Sequence, residues 1–316
     1  MEPLVSVCII TYNSSSTIIQ TLESIKAQTY NKIELVISDD CSKDDTINII
    51  NNWADQNKTR FTTIKVIAAK KNAGTACNLH TSIINSTGEW IKILAGDDLL
   101  SPQCIETFVN TTMENPQIQF FTCKVKAFCE DSSFDLRKIQ AFYNHLNKLQ
   151  HKSKSVKKRL SRYKLIYPGP EWFFSRKLYV ETGGINLKYT MLDETPFTFN
   201  VARSGYEIIP VDKELVFYRV SNTSASHSNL SPVRRLYQQQ DYNFYIENQL
   251  PALKKHFMLF EIIDQQLCYL IMKKQVLKFD KTGLYDTKMN KLQFLSPVSL
   301  FNKIGEYLEL SKIKRK

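Results

Sequence analysis

Three pairs of adjacent acids stand out in the sequence: Asp39 and Asp40, Asp97 and Asp98, and Asp193 and Glu194. Neighbouring carboxylates repel, so a chain keeps them together where solvent, a hydrogen-bond cage or a cation relieves the repulsion. "LAGDDLL" (94–100) sets its pair directly after an apolar run, with Gly96 allowing backbone and substrate to approach closely. Two carboxylates so placed suit a hard divalent cation, Mn2+ or Mg2+, that draws its other ligands from phosphates and water. For any single pair a solvated turn is the simpler explanation. Three pairs, two of them after predicted strands, point to a site.

The segments around these acids predict how they are positioned. "LVSVCII" (4–10), "IELVIS" (33–38), "FTTIKVIAA" (61–69) and "EWIKILAG" (89–96) are apolar runs rich in β-branched residues, as expected of parallel strands buried on both faces. Between them "STIIQTLESIKAQ" (16–28), "DDTINIINNWADQ" (44–56) and "GTACNLHTSIINS" (74–86) have helical spacing. Ser15 or Ser16 is the expected N-cap of the first, and acids open the second. This alternation predicts a mostly parallel sheet covered by helices. Ligands of such sheets sit at the carboxyl ends of the strands, where "TYN", "DDCSKDD", "KKNAG" and "GDD" stand here. From 101 to 165 the pattern turns helical and basic, with weaker strand signals. "YPGPEWFF" (167–174) combines turn formers with aromatics, 192–211 has a helix-like centre, and helices are expected from 228 onward.

Composition narrows the classes. A chain of 316 residues, 43% hydrophobic, can bury the core of one large α/β domain or of a catalytic domain with an appendage. No apolar stretch approaches the roughly 20 residues that span a bilayer, and the acid near the start argues against a signal peptide. A cytoplasmic protein is therefore expected. Seven scattered cysteines without a C-x-x-C pair argue against a zinc site or a disulfide framework. The net charge of +11 is concentrated in "HKSKSVKKRLSRYK" (151–164) and "LSKIKRK" (310–316). These are solvated helix faces or a surface for a polyanion. With no zinc-finger or RNP-type signature, the inner face of an anionic cell membrane is the expected partner rather than nucleic acid.

Taken jointly, "VSVCIITYN", "ELVISDDCSKDDT", "KNAGTACN", "GEWIKILAGDDLLSP", "GGIN", "LDETPF" and "YRVSNTSAS" resemble glycosyltransferase family 2, the inverting GT-A enzymes, and among them bacterial capsule and O-antigen transferases. The resemblance spans roughly residues 4–226. It implies a GT-A fold, Rossmann-like with a mostly parallel central sheet, in residues 1–226. Residues 1–100 would form the nucleotide-sugar half and 101–226 the acceptor half, followed by a basic helical region over 227–316.

Carried onto this sequence, the resemblance puts Tyr12 against the nucleotide base, with Thr11 and Asn13 shaping its turn. Asp39 and Asp40 would hold base and ribose, although Cys41 replaces the usual Gly. Asn72, Gly74 and Asn78 would line the nucleotide-sugar pocket beside Gly96 and Asp97. Asp98 would touch the metal, with Ala95 where other members have the first acid of D-x-D. "LDETPF" would supply the general base, Glu194 by position with Asp193 beside it; the two acids are inverted relative to the family, which leaves their roles open. Ser221 stands where the family frequently has His, so Arg219 is the candidate phosphate partner and His227 a candidate substitute. Gly169 and Trp172 would floor an acceptor site, Trp172 as a sugar-stacking ring, with Phe173 and Phe174 in the core.

The implied reaction is a single displacement that moves a sugar from a nucleotide sugar, a UDP-sugar first, to a glycan or undecaprenyl-diphosphate-linked acceptor. A nucleotidyltransferase could use the same acids and metal but would need a Gly-rich, Lys-containing activation loop. A non-catalytic nucleotide- or glycan-binding module is the third reading.

Overall fold

A computed structural model describes residues 2–130, 136–150, 169–220 and 232–255, with isolated positions at 262, 263, 266 and 270. Its first half follows the predicted alternation: β1 (Val5–Thr11), α1 (Ile18–Lys26), β2 (Ile33–Asp39), α2 (Thr46–Asn57), β3 (Thr63–Ala68), α3 (Thr75–Ile84) and β4 (Trp90–Ala95). β1 pairs in parallel with both β2 and β4, and β2 with β3. Along β1 the side chains alternate between two cores. Val5, Val7 and Ile9 meet Ile18, Leu22 and Ile50 of α1 and α2, whereas Cys8 meets Ala76, Leu79 and Ile83 of α3. Burial on both faces is the reason these strands read as continuous apolar runs.

The second half extends the same sheet with mixed direction. After β5 (Leu99–Leu100) come α4 (Cys104–Glu114), β6 (Phe120–Phe128), α5 (Arg137–Gln150), β7 (Phe173–Ser175), α6 (Arg176–Glu181), α7 (Glu194–Arg203) and β8 (Ile208–Arg219). The strand order is β3-β2-β1-β4-β7-β6-β8-β5. β7 is antiparallel to both β4 and β6, while β6 and β8 run parallel with register shifts at Lys124. β6 and β8 are the longest strands, yet the sequence signal for them is weak. Their irregular register and the exposed run Asp212, Lys213 and Glu214 break the two-residue alternation.

Two helices close the described chain: α8 (Pro232–Phe244), extended by a π turn at Tyr245–Gln249, and α9 (Leu250–Lys255). Phe244, Tyr245 and Leu253 pack with Tyr189, Leu192 and Phe199 into a third apolar cluster, which fastens α8 and α9 against α7. The basic runs at 151–164 and 310–316, with Ser221 and His227, lie outside the described residues.

Candidate active site

The carboxyl edge of β1, β2 and β4 is built by backbone interlocks between loops distant in sequence. The Asp40 N–H donates to the Thr11 carbonyl (2.9 Å) and the Gly96 N–H to that of Ile10 (2.9 Å). The buried Asn78 amide adds a third tie by donating to the Thr11 carbonyl at 3.2 Å. Asn13 adopts a left-handed φ of 51°, which lets its Oδ1 accept from the Lys43 N–H (2.8 Å) while its own N–H donates to Ser42 Oγ. Cys41 takes a φ of 67°. That conformation costs an L-residue about 1–2 kcal/mol, which is why glycine suits this turn.

The first acid pair serves this scaffold. Asp39 accepts from Thr11 Oγ1 (2.9 Å), the Ser42 N–H (2.8 Å) and Ser42 Oγ. Asp40 spends one oxygen on the Ala73 N–H (2.7 Å) and the other on the Gly74 N–H (2.9 Å). Both residues are buried. Expected to hold base and ribose, they brace the loops at the strand ends here, as buried carboxylates do when their lone pairs are filled. Tyr12 is 48% exposed at the same edge, an open ring of the kind a nucleobase stacks on. Asn72 is exposed on the β3–α3 loop. Gly74, at φ +91°, presses so closely on the loop before α7 that a Cβ there would lie 2.4 Å from the Thr190 carbonyl oxygen. Through this contact, and the Ala76 N–H bond to the same carbonyl at 3.0 Å, the nucleotide-side loop touches the segment carrying Asp193 and Glu194.

The second pair closes β4. Leu99 and Leu100 turn straight back to pair with Phe217 and Val216 of β8, so the acids occupy a stapled turn. Asp98 is 1% exposed; its Oδ1 accepts from the Arg219 N–H (2.9 Å), and its Oδ2 is buried without a hydrogen-bond partner. Burial and the adjacent Asp97 push its carboxyl well above the usual range. Asp97 is partly exposed, and burial raises its carboxyl while Arg219 opposes the rise. Asp97 is the more accessible carboxylate of the pair, and Asp98, the expected metal ligand, lies beneath it with Oδ2 unspent. One open carboxylate over an unspent oxygen fits a cation that takes most of its ligands from a diphosphate and water. Among the described residues there is no group of three or more His, Cys, Asp or Glu able to hold a metal by itself.

Arg219, the expected phosphate partner, is engaged by the protein itself. Its Nε donates to the Asp97 carbonyl (2.7 Å), its terminal nitrogens to Glu130 (2.5 Å) and Gln20 (2.5 Å), and its guanidinium lies 4.6 Å from the Phe128 ring centre. A buried side chain so engaged holds the acidic turn in place and has no open face for a phosphate.

The third pair opens α7. Glu194 Oε1 accepts from the Gly169 N–H at 2.6 Å. Burial and the neighbouring Asp193 push the Glu194 carboxyl up to about 8, against a downward pull from that hydrogen bond. Asp193 is also raised by burial and lies 3.5 Å from Thr75 Oγ1 at the start of α3. Gly169 is therefore the backstop of the acid and not an open acceptor floor, and a Cβ on it would lie 2.7 Å from Glu194 Oε1. Trp172 does not stack on a sugar: it is 0% exposed, enclosed by Phe120, Phe174 and Phe197. Phe173 and Phe174 are core, as expected.

Several residues of this site carry no motif. Gln240 of α8 accepts from the Met191 N–H (2.8 Å) and donates to Thr190 Oγ1 (3.0 Å), bracing the turn before Asp193. Tyr237, one helical turn away, is 40% exposed; burial of its hydroxyl and the nearby Asp241, Glu194 and Asp193 raise its phenol far above normal. Tyr143 of α5 is raised by burial, then by the charges of Tyr218, Asp98 and Glu194. Lys92, a lysine inside the apolar run "WIKIL", is fully buried in β4 and donates to the Pro170 carbonyl beside Gly169.

An acid-lined carboxyl edge, an open aromatic ring and a raised carboxyl at a facing helix start define a nucleotide-sugar type of α/β site on a GT-A fold. The chain belongs to glycosyltransferase family 2: the model of "Glycosyl transferase family 2" matches residues 6–182, more than half of its length. Among curated relatives it is 36% identical over 104 residues to the putative glycosyltransferase EpsE of Bacillus subtilis (33% of this chain, 36% of that protein). It is 34% identical over 137 residues to WfaP of Escherichia coli, a UDP-Glc:alpha-D-GlcNAc-diphosphoundecaprenol beta-1,3-glucosyltransferase (43% and 47%). The matched stretches thus span less than half the length of both relatives. In three dimensions the chain resembles S. aureus TarS 1-349 in complex with UDP-GlcNAc, with a TM-score of 0.58 at 15% identity over 97% of this chain and 89% of that one. It also resembles the mannosyltransferase PcManGT from Pyrobaculum calidifontis in complex with GDP-Man and Mn2+, with a TM-score of 0.58 at 18% identity over 98% and 87%. At these identities the likeness is one of fold.

Proposed function

We propose that the chain is an inverting glycosyltransferase that moves a sugar from a nucleoside-diphosphate sugar, a UDP-sugar first, to a hydroxyl of a lipid-linked or oligosaccharide acceptor in bacterial surface polysaccharide assembly. The observation that carries this reading is Glu194 at the start of α7, held by the Gly169 N–H at 2.6 Å on a segment that presses at Thr190 on Gly74 of the β3–α3 loop, with its carboxyl pushed up to about 8 by burial and Asp193. A general base works best with a pKa near the operating pH. WfaP, by its name, uses UDP-Glc and a diphosphoundecaprenol-linked acceptor, which supports the choice of donor and acceptor class.

In the proposed reaction Tyr12 stacks on the base of the donor, and the braced loops at Asp39 and Asp40 keep its turn in shape. Glu194 removes the proton of the acceptor hydroxyl as that oxygen bonds to the anomeric carbon from the face opposite the diphosphate. The bond from that carbon to the β-phosphate oxygen breaks, the nucleoside diphosphate leaves with the electron pair, and the proton ends on Glu194. Inversion follows from the single displacement. A divalent cation, Mn2+ or Mg2+, held by Asp97 with Asp98 behind it, would supply positive charge at the diphosphate. Arg219 keeps that turn fixed, so little reorganisation is needed as charge develops. Tyr237, exposed beside the acid pair, takes the acceptor-stacking role expected of Trp172.

No helix among the described residues is long and apolar enough to cross a membrane. The surplus of basic residues supports peripheral contact with an anionic leaflet. The deciding experiment incubates the protein with a panel of UDP-, GDP- and dTDP-sugars and Mn2+ or Mg2+, and measures nucleoside diphosphate release in wild type and Asp97→Ala. Metal-dependent release from one donor, lost in the variant, is expected. Pyrophosphate release would replace this reading by nucleotidyl transfer, and binding without turnover of any donor and acceptor would leave a binding module.

A further inference from the structure

Lys92 lies in the middle of β4 and is 0% exposed, between Val7 of β1 and Phe173 of β7 in the sheet. Its neighbours Trp90 and Leu94 on the same face belong to the apolar core. A buried ammonium is costly, and a leucine or methionine would fill the same space without that cost. Two hydrogen bonds show what the group does there. Nζ donates to the adjacent Ile93 carbonyl at 2.9 Å and across the sheet to the Pro170 carbonyl at 2.5 Å. Pro170 is the middle of the 3-10 turn Gly169–Glu171, and the N–H of Gly169 is the donor that holds Glu194 Oε1 at 2.6 Å. One covalent step therefore separates the residue gripped by Lys92 from the residue that grips the candidate base.

We propose that Lys92 is a positioning residue: through Pro170 it fixes the Gly169–Glu171 turn so that the Gly169 N–H is aimed at Glu194. This deepens the glycosyltransferase reading and rests on it for the meaning of Glu194, though the mechanical link does not. The charged groups around Lys92 are Asp98 and the buried Glu171, with the thiols of Cys104 and Cys123; burial lowers its ammonium and these groups hold it up. Around Glu194 stand Asp193 on its own helix, Tyr237 of α8 and Tyr143 of α5. None of these replaces the Gly169 N–H, which is the group that favours the ionised carboxylate.

The test is Lys92→Met, with Lys92→Gln, shorter and uncharged, as a second variant should methionine prevent folding. Glutamate labelled with 13C at the carboxyl, its Glu194 resonance identified by loss in Glu194→Gln, reports the titration of the base directly. With the Gly169 donor loosened, Glu194 should titrate higher by about one pH unit. The acid limb of kcat should move up with it, and kcat at pH 7 should fall roughly 10- to 100-fold as the base loses its alignment. The donor KM should change less than kcat, because the Pro170 contact of Lys92 leads to the base; its charge also acts on Asp98, so the Glu194 titration is the deciding readout. A folded Lys92 variant whose Glu194 titrates as in wild type overturns the proposal. The titration needs no donor, so an inactive wild-type protein would sink the transferase reading and leave this test standing.

Discussion

At the scale of single residues the proposed reaction turns on Glu194. As the proposed base its carboxyl must be ionised to accept a proton, so kcat/KM should rise with pH through about 8 and flatten above it. Glu194→Gln should lower kcat by roughly 10^2- to 10^4-fold while nucleotide binding, followed by calorimetry, stays unchanged. The same raised carboxyl sets a sign for stability. A carboxyl with a higher pKa folded than unfolded binds more protons in the native state, so stability falls as pH rises from the unfolded value toward about 8. Thermal melts of Glu194→Gln should therefore match wild type near pH 4 and run higher at pH 9. Tyr12 makes a separate prediction: stacking of a base on an aromatic ring is worth about 1–3 kcal/mol, so Tyr12→Ala should raise the donor KM roughly 5- to 150-fold with kcat little changed.

Among elements, the site depends on loops pressed together more closely than side chains allow. Gly74 meets the carbonyl of Thr190 in a left-handed conformation, and this joins the β3–α3 loop to the turn before α7. Gly74→Ala must push that carbonyl away and adopt a disfavoured φ. Urea unfolding should show a loss of roughly 2–4 kcal/mol, and the displaced turn should lower kcat as well. A substitution that left both unchanged would mean the two halves of the pocket are not mechanically joined there. The stapling of β5 to β8 explains why acids can end a buried strand: the chain reverses at once, and Arg219 with Glu130 and Gln20 holds the reversal.

For the whole molecule the charge balance matters more than any single contact. Lys254 and Lys255 are exposed on α9, and the net charge of +11 exceeds what a neutral surface requires. Sedimentation with phosphatidylglycerol-containing vesicles should bring the protein down at low salt and release it by about 0.5 M NaCl, where the Debye length is only a few ångströms. Vesicles of neutral lipid should not bind it, and salt-independent partition to the supernatant would remove the peripheral-membrane reading.

The sequence by itself determined the parallel half of this protein and the list of its acids. β1 to β4 are buried on both faces, so each strand is a local run that any window reveals, and the polar residues at each strand end mark the functional edge. Which acid does which job was decided only by the tertiary structure. Asp39, Asp40 and Asp98 look in sequence like Asp97 and Glu194, but all three are buried; hydrogen bonds engage both oxygens of Asp39 and Asp40, and only one of Asp98. β6 and β8 escaped notice because their bulged register breaks the alternation. Trp172 became core, and Tyr237 and Gln240 entered the site, because α8 folds back from some 40 residues downstream of Glu194. Such placements depend on packing between segments remote along the chain, where no local pattern of residues carries a signal.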